Sequence, residues 1–139
     1  MAGYSVSVAG VVLDDRKRAL LVQRRDNGHW EPPGGVLELD ETVHEGLRRE
    51  VREETGLEVE PGPLTGVYKN MARGIVALVF RCRATGGRLV ETGEAKDFRW
   101  ASVDELDGLM DEAFAIRVRD ALRDGAEPAV REHDGVRLL

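Results

Sequence analysis

The chain has 139 residues, 42% of them hydrophobic, with 20 Lys and Arg against 26 Asp and Glu and a formal net charge of −6. That length and apolar content suit one domain, spanning residues 1–139, with its own core rather than a disordered chain. The acidic balance argues against stable nucleic-acid binding through a basic coat. No apolar run reaches the roughly 20 residues of a membrane span, and no basic region precedes the first apolar run. With a single cysteine, Cys82, no internal disulfide can form, so the expectation is a cytoplasmic protein with a buried thiol and no membrane segment.

In chain order, residues 4–13 (YSVSVAGVVL) are rich in β-formers and stop at the turn pair Asp14-Asp15. Residues 18–25 (RALLVQRR) predict a second strand paired to the first, followed by the Gly- and Pro-rich loop DNGHWEPPGG. A helix is predicted over 43–55. Thr42 with Glu45 three positions on forms a capping-box pattern, and Gly56 is a natural left-handed stop. Leu57–Glu60 reads as a short strand broken by Pro61 and Pro63, with two further strands in LTGVYKN and GIVALVFRCRA. KDFRWAS reads as a last strand, VDEL as a helical turn and residues 111–123 as a second helix. The tail AVREHDGVRLL carries Asp134-Gly135, a hairpin turn pair. Strands alternating with helices give an α/β class with a mixed sheet between helices.

The helix over 43–55 contains the stretch RREVREETG, Arg48 to Gly56. At about 100° per residue Glu50, Glu53 and Glu54 fall within roughly a third of the circumference, while Val43, Leu47 and Val51 form the seam to be buried. Like charges at i, i+4 near a helix C-terminus oppose helix stability, through mutual repulsion and through the macrodipole. A solvated face offset by Arg48, Arg49 and Arg52 is the ordinary explanation of such a helix.

The wider spacing points elsewhere. Five residues separate Gly35 from Glu41, and seven more lead to Arg49-Glu50-Val51, then Arg52, Glu53-Glu54, Thr55 and Gly56-Leu57. This resembles the Nudix hydrolase signature, G-x5-E-x7-R-E-U-x-E-E-x-G-U with U aliphatic, at every fixed position, and the preceding WEPPGG is similar to the family's approach to its box. The resemblance implies an α/β/α sandwich and a metal-dependent pyrophosphohydrolase cleaving a nucleoside diphosphate linked to another moiety. Mg²⁺ is the implied cofactor, with Mn²⁺ as a substitute; as a hard ion it suits carboxylate oxygens. Glu50, Glu53, Glu54 and the Gly34 carbonyl are the implied metal ligands. Glu50, Glu53, Glu94 and Arg49 are the implied catalytic set. Arg49 would orient a glutamate, or equally form a surface pair with Glu45 or Glu53. Glu41, just before the cap, is expected to have a structural role. Glu94, six residues before Trp100, stands where the nucleoside-triphosphate-cleaving branch brings a further acid, with an ordinary loop acid as the alternative.

Arg24, Trp30 and Tyr68 flank the implied site. An aromatic ring can stack on a base and an arginine can bind phosphate, although each is compatible with packing or surface roles. The downstream proline of many ADP-ribose hydrolases is absent, as are the tyrosine of the dinucleoside-polyphosphate branch and the four-Cys zinc module of the NADH-pyrophosphatase type. A small nucleoside-triphosphate or nucleotide-sugar hydrolase remains, with a (d)NTP or modified nucleotide as substrate. The alternative is a non-catalytic Nudix sensor or interaction module, against which the complete glutamate set stands. A homodimer is implied by the family resemblance; the tail adds a weak reason, since an isolated hairpin needs something to pack on, with packing within the same chain the equal alternative.

Overall fold

A computed structural model describes residues 3–125 and 127–139. The strands are β1 (Ser5–Val12), β2 (Ala19–Arg24), β3 (Trp30–Glu31), β4 (Gly34–Val36), β5 (Leu57–Asn70), β6 (Ile75–Gly87), β7 (Ala95–Ala101) and β8 (Ala129–His133). The helices are α1 (Val43–Thr55), the one-turn α2 (Leu106–Leu109), entered through a 3₁₀ turn at Val103–Glu105, and α3 (Glu112–Leu122). Five strands form a mixed sheet in the order β4-β1-β6-β5-β8, and three form an antiparallel sheet in the order β3-β2-β7.

Alternation along the strands builds a core on each side of the sheets. Val8 and Val12 of β1 join Leu20, Phe80 and Cys82 against Leu47 and Val51 of α1. Ala9 and Val11 face the opposite way and join Leu21, Tyr68 and Val79 against Val118 and Ala121 of α3. The result is the α/β/α arrangement expected from the sequence. Helix α1 spans the expected residues. Thr42 and Glu45 make the reciprocal capping box, and Gly56 ends the helix at φ 83°, where a side chain would be strained.

Two local expectations are corrected. β2 does not pair along β1, because β6 and β4 occupy both edges of β1; only the bridge Leu13–Ala19 joins the two. β5 is one strand of 14 residues rather than two, and its pairing with β6 shifts register around Pro61–Leu64 and Leu64–Gly66 instead of ending. Such irregularities absorb a proline that has no N–H to donate. The tail closes the hairpin turn its sequence indicates through the antiparallel bridge His133–Leu138. β8 also pairs in parallel with β5, and Val136 accepts a hydrogen bond from the Ala113 amide at 2.9 Å. The packing that the tail requires is thus met within the chain.

Candidate active site

Helix α1 carries Glu50 and Glu54 on its inner side. The two are separated by about 40° around the axis, whereas Glu53 stands about 100° from Glu54. Glu50 and Glu54 are accordingly buried, at 9% and 6% exposure, while Glu53 is exposed. Glu54 accepts a hydrogen bond from the Gly34 amide at 2.8 Å. Gly34 is spared a partner in β1 because the bonded positions of that ladder are Gly10–Pro33 and Val6–Leu37. Gly35 lies against Glu50, and a Cβ there would come within 2.5 Å of the carboxylate carbon.

Arg49 fans across the outer side. It donates to Glu41 at 2.9 and 2.6 Å, to Glu50 at 2.9 Å, to Glu53 at 3.3 Å and to the Val36 carbonyl at 3.2 Å. It therefore orients Glu50 and also makes a pair with Glu53. Glu41 ties the loop before α1 to the helix by accepting both Arg49 and the Glu38 amide. Arg49 holds the Glu41 carboxyl down at about 2.

The loop before β7 is clipped to the C-terminal end of α1. Thr92 donates its hydroxyl to the Glu54 carbonyl at 3.2 Å, and Val90 donates its amide to the Thr55 carbonyl at 3.1 Å. The Arg25 amide bonds the Glu94 carbonyl at 3.2 Å. These clips bring Glu94 to the helix, so that Glu50, Glu54 and Glu94 each offer a carboxylate oxygen within 4.8 Å of the others. The trio differs from the expected one: Glu94 joins, while Glu53 stays outside with Arg49.

Electrostatics follow from burial. Desolvation pushes the Glu54 carboxyl up to about 8, helped by the charges of Glu31, Glu50 and Glu94 and opposed by the Gly34 amide. Burial also raises Glu50, against its bond from Arg49. A group of oxygen donors whose own repulsion and burial disfavour full ionisation is suited to a hard divalent cation.

A cleft of about 540 Å³ opens from Gly34 and Gly35, within the size range of small-molecule sites. Its walls include Arg24, His29, Glu31, Phe114, Arg117 and His133. Arg24 lines it but is bound to Asp26 at 2.7 Å and to Glu31 at 3.4 Å. Trp30 does not line it. Strand alternation turns its ring toward the α3-side core, beside a separate hollow of about 240 Å³. Tyr68 is withdrawn from the substrate contacts: it is fully buried and donates its hydroxyl to Asp120 at 2.6 Å. Glu31, Arg117 and His133 went unnoticed in the sequence. Only the topology brings these three together, and no local spacing marks them.

The NUDIX domain model matches residues 3–124. The chain belongs to the Nudix hydrolase family. A MutT-like protein of Streptomyces ambofaciens is 57% identical over 136 residues, covering 98% of this chain and 88% of the relative. An ADP-ribose pyrophosphatase of Methanocaldococcus jannaschii is 35% identical over 109 residues, covering 73% of this chain and 64% of that protein. An ADP-ribose pyrophosphatase structure from Streptococcus suis superposes with a TM-score of 0.77 at 24% identity, covering 92% of this chain and 99% of that one, a likeness of fold. As a Nudix hydrolase, the chain acts on phosphoanhydride bonds. Among the described residues no helix is long and apolar enough to cross a membrane.

Proposed function

We propose that this Nudix hydrolase is a divalent-metal-dependent pyrophosphohydrolase of a nucleotide, of the nucleoside-triphosphate or modified-nucleotide kind. The observation that carries the reading is the convergence of Glu50, Glu54 and Glu94, two of them packed against Gly34 and Gly35, which line a cleft of small-molecule size. Glu50 and Glu54 would hold Mg²⁺ or Mn²⁺, with the Gly34 carbonyl and Glu53 as the further ligands that the family resemblance implies. The ion, when bound, supplies positive charge against the phosphoryl oxygens.

The chain's own groups do the remaining work. Arg49 fixes Glu50 through a charge-assisted bond, and the Gly34 amide fixes Glu54. Glu94 is the exposed member of the trio. It is the acid that can accept a proton from an attacking water and exchange it with solvent. Arg24 stands at the cleft wall, where its charge favours a polyphosphate.

The test is release of phosphate or pyrophosphate from a panel of (d)NTPs, an 8-oxopurine nucleotide and ADP-ribose, with and without Mg²⁺. Mg²⁺-dependent product from a nucleoside triphosphate is the expected result. Turnover confined to ADP-ribose would overturn the substrate reading, and turnover undiminished in EDTA would overturn the metal reading.

A further inference from the structure

Arg117 of α3 is 91% removed from solvent, at 9% exposure, yet it lines the cleft. Among the described residues no carboxylate or carbonyl oxygen bonds to its guanidinium; the Nε is sealed without a partner. Glu31, an acid that also lines the cleft, is bonded to Arg24 instead. The guanidinium lies over two aromatic rings, 4.6 Å from the centroid of Phe114 and 5.2 Å from that of Tyr68. Its hydrogen-bonding capacity lies in its N–H edge.

Among the described residues, the one polar group within hydrogen-bond distance of the guanidinium makes the deficit larger. Arg117 Nη2 lies 3.3 Å from His133 Nε2. His133 Nδ1 already accepts the Gly135 amide at 2.9 Å. A neutral imidazole that accepts at Nδ1 carries its proton on Nε2. Two donors therefore face each other, both wanting an acceptor. Burial and the Arg117 charge lower the His133 proton affinity, which keeps the ring neutral. A buried donor without an acceptor costs free energy, and a ligand oxygen in the cleft that accepts from both would satisfy both.

We propose that Arg117 and His133 form a donor-only recognition point for a carbonyl-bearing nucleobase, selecting a 6-oxopurine edge over a 6-aminopurine edge. This rests on the nucleotide reading above and names the part of the substrate that the far end of the cleft reads. The aromatic cover on Arg117 favours a planar base over a strongly hydrated phosphate. A 6-oxopurine presents O6 and N7, both acceptors, whereas a 6-aminopurine sets its N6 donor against the same point. Rejection by an unpaired polar contact is the kind that gives large discrimination.

The experiment measures GMP and AMP binding by calorimetry without divalent metal, alongside kcat/KM for GTP and ATP. Wild type should bind GMP about tenfold or more tighter than AMP. Arg117→Met should abolish that preference, chiefly through weaker GMP binding and a higher KM for GTP, while still folding, since it removes an unpaired buried charge. Arg117→Lys, which keeps the charge but loses the planar fork, is the second variant; it should lose most of the preference. Equal binding of GMP and AMP by wild type, or a preference that survives both variants, would overturn the proposal. Competition of inorganic phosphate with GMP in wild type but not in Arg117→Met would overturn it too, because the point would then read an anion. A wild type that binds GMP selectively yet hydrolyses nothing would refute the hydrolytic function and leave the recognition point standing.

Discussion

Glu54 is where burial and charge oppose each other most strongly. Its folded-state carboxyl is pushed up to about 8 from 4.5, so between those values the native state holds a proton that the unfolded chain has released. Stability must then fall as pH rises through that interval, in the metal-free protein. His133 is shifted the other way, below its ordinary 6.5. Its contribution is lost as pH falls below that value, on the acid side of the interval, whereas Glu50 and Glu31, also raised by burial, act in the same direction as Glu54. Metal-free wild type should lose melting temperature from pH 6.5 to 8, and Glu54→Gln should lose less. Mg²⁺ competes with the proton, so it should raise the wild-type melting temperature more at pH 8 than at pH 6.5, with little effect on the variant. A metal-free profile that is flat from pH 6.5 to 8 would remove Glu54 from this role. For the loop acid, Glu94→Gln should lower kcat by about 10²-fold with the melting temperature unchanged. A change under about threefold, smaller than general-base loss gives, would make Glu94 an ordinary solvated acid.

At the scale of elements, the site depends on β4 lying under α1. Gly35→Ala would press a Cβ onto the Glu50 carboxylate, the free end of a flexible side chain. The fold should absorb that displacement, while turnover falls by about 10²-fold, the cost of a roughly 1 Å misplacement. Unchanged kcat would mean that Glu50 has room to spare. Tyr68 links β5 to α3 through Asp120, which Arg131 also holds with two bonds at 2.8 Å. Tyr68→Phe should cost about 1–2 kcal/mol in urea unfolding and leave kcat/KM unchanged. A raised KM would restore Tyr68 to the substrate site. Its burial was not legible from sequence, because the register shifts at Leu64 and Gly66 decide which way the later β5 residues face. Helix α1 was legible to the residue, since its caps and its Leu47–Val51 seam are local signals. The partners of β1 were not, because sheet pairing is settled by edges contributed from distant parts of the chain.

Across the whole molecule, the cleft is assembled from both ends of the chain, from Ser7 in β1 to Val136 beyond β8. The box motif revealed Glu50 and Glu54 because one helix carries both, and the distance from Trp100 pointed to Glu94 on its loop. Nothing comparable marks Arg117 and His133, which meet only when α3 and β8 close the far wall. Gly34 and Gly35, which pack against Glu54 and Glu50, line the same cleft as Arg117 and His133, which suits the proposed substrate, a nucleotide with both a diphosphate and a base. The most direct measurement is a Mn²⁺ titration followed by the electron paramagnetic resonance of the free ion, run on wild type and on the double variant Glu50→Gln, Glu54→Gln, with nucleotide turnover measured on the same samples. Wild type should bind Mn²⁺ in the micromolar-to-millimolar range, more tightly with nucleotide present, and the double variant should lose binding and turnover together while remaining folded. Undiminished Mn²⁺ binding and turnover in the folded double variant would contradict the assignment of the catalytic metal site to Glu50 and Glu54.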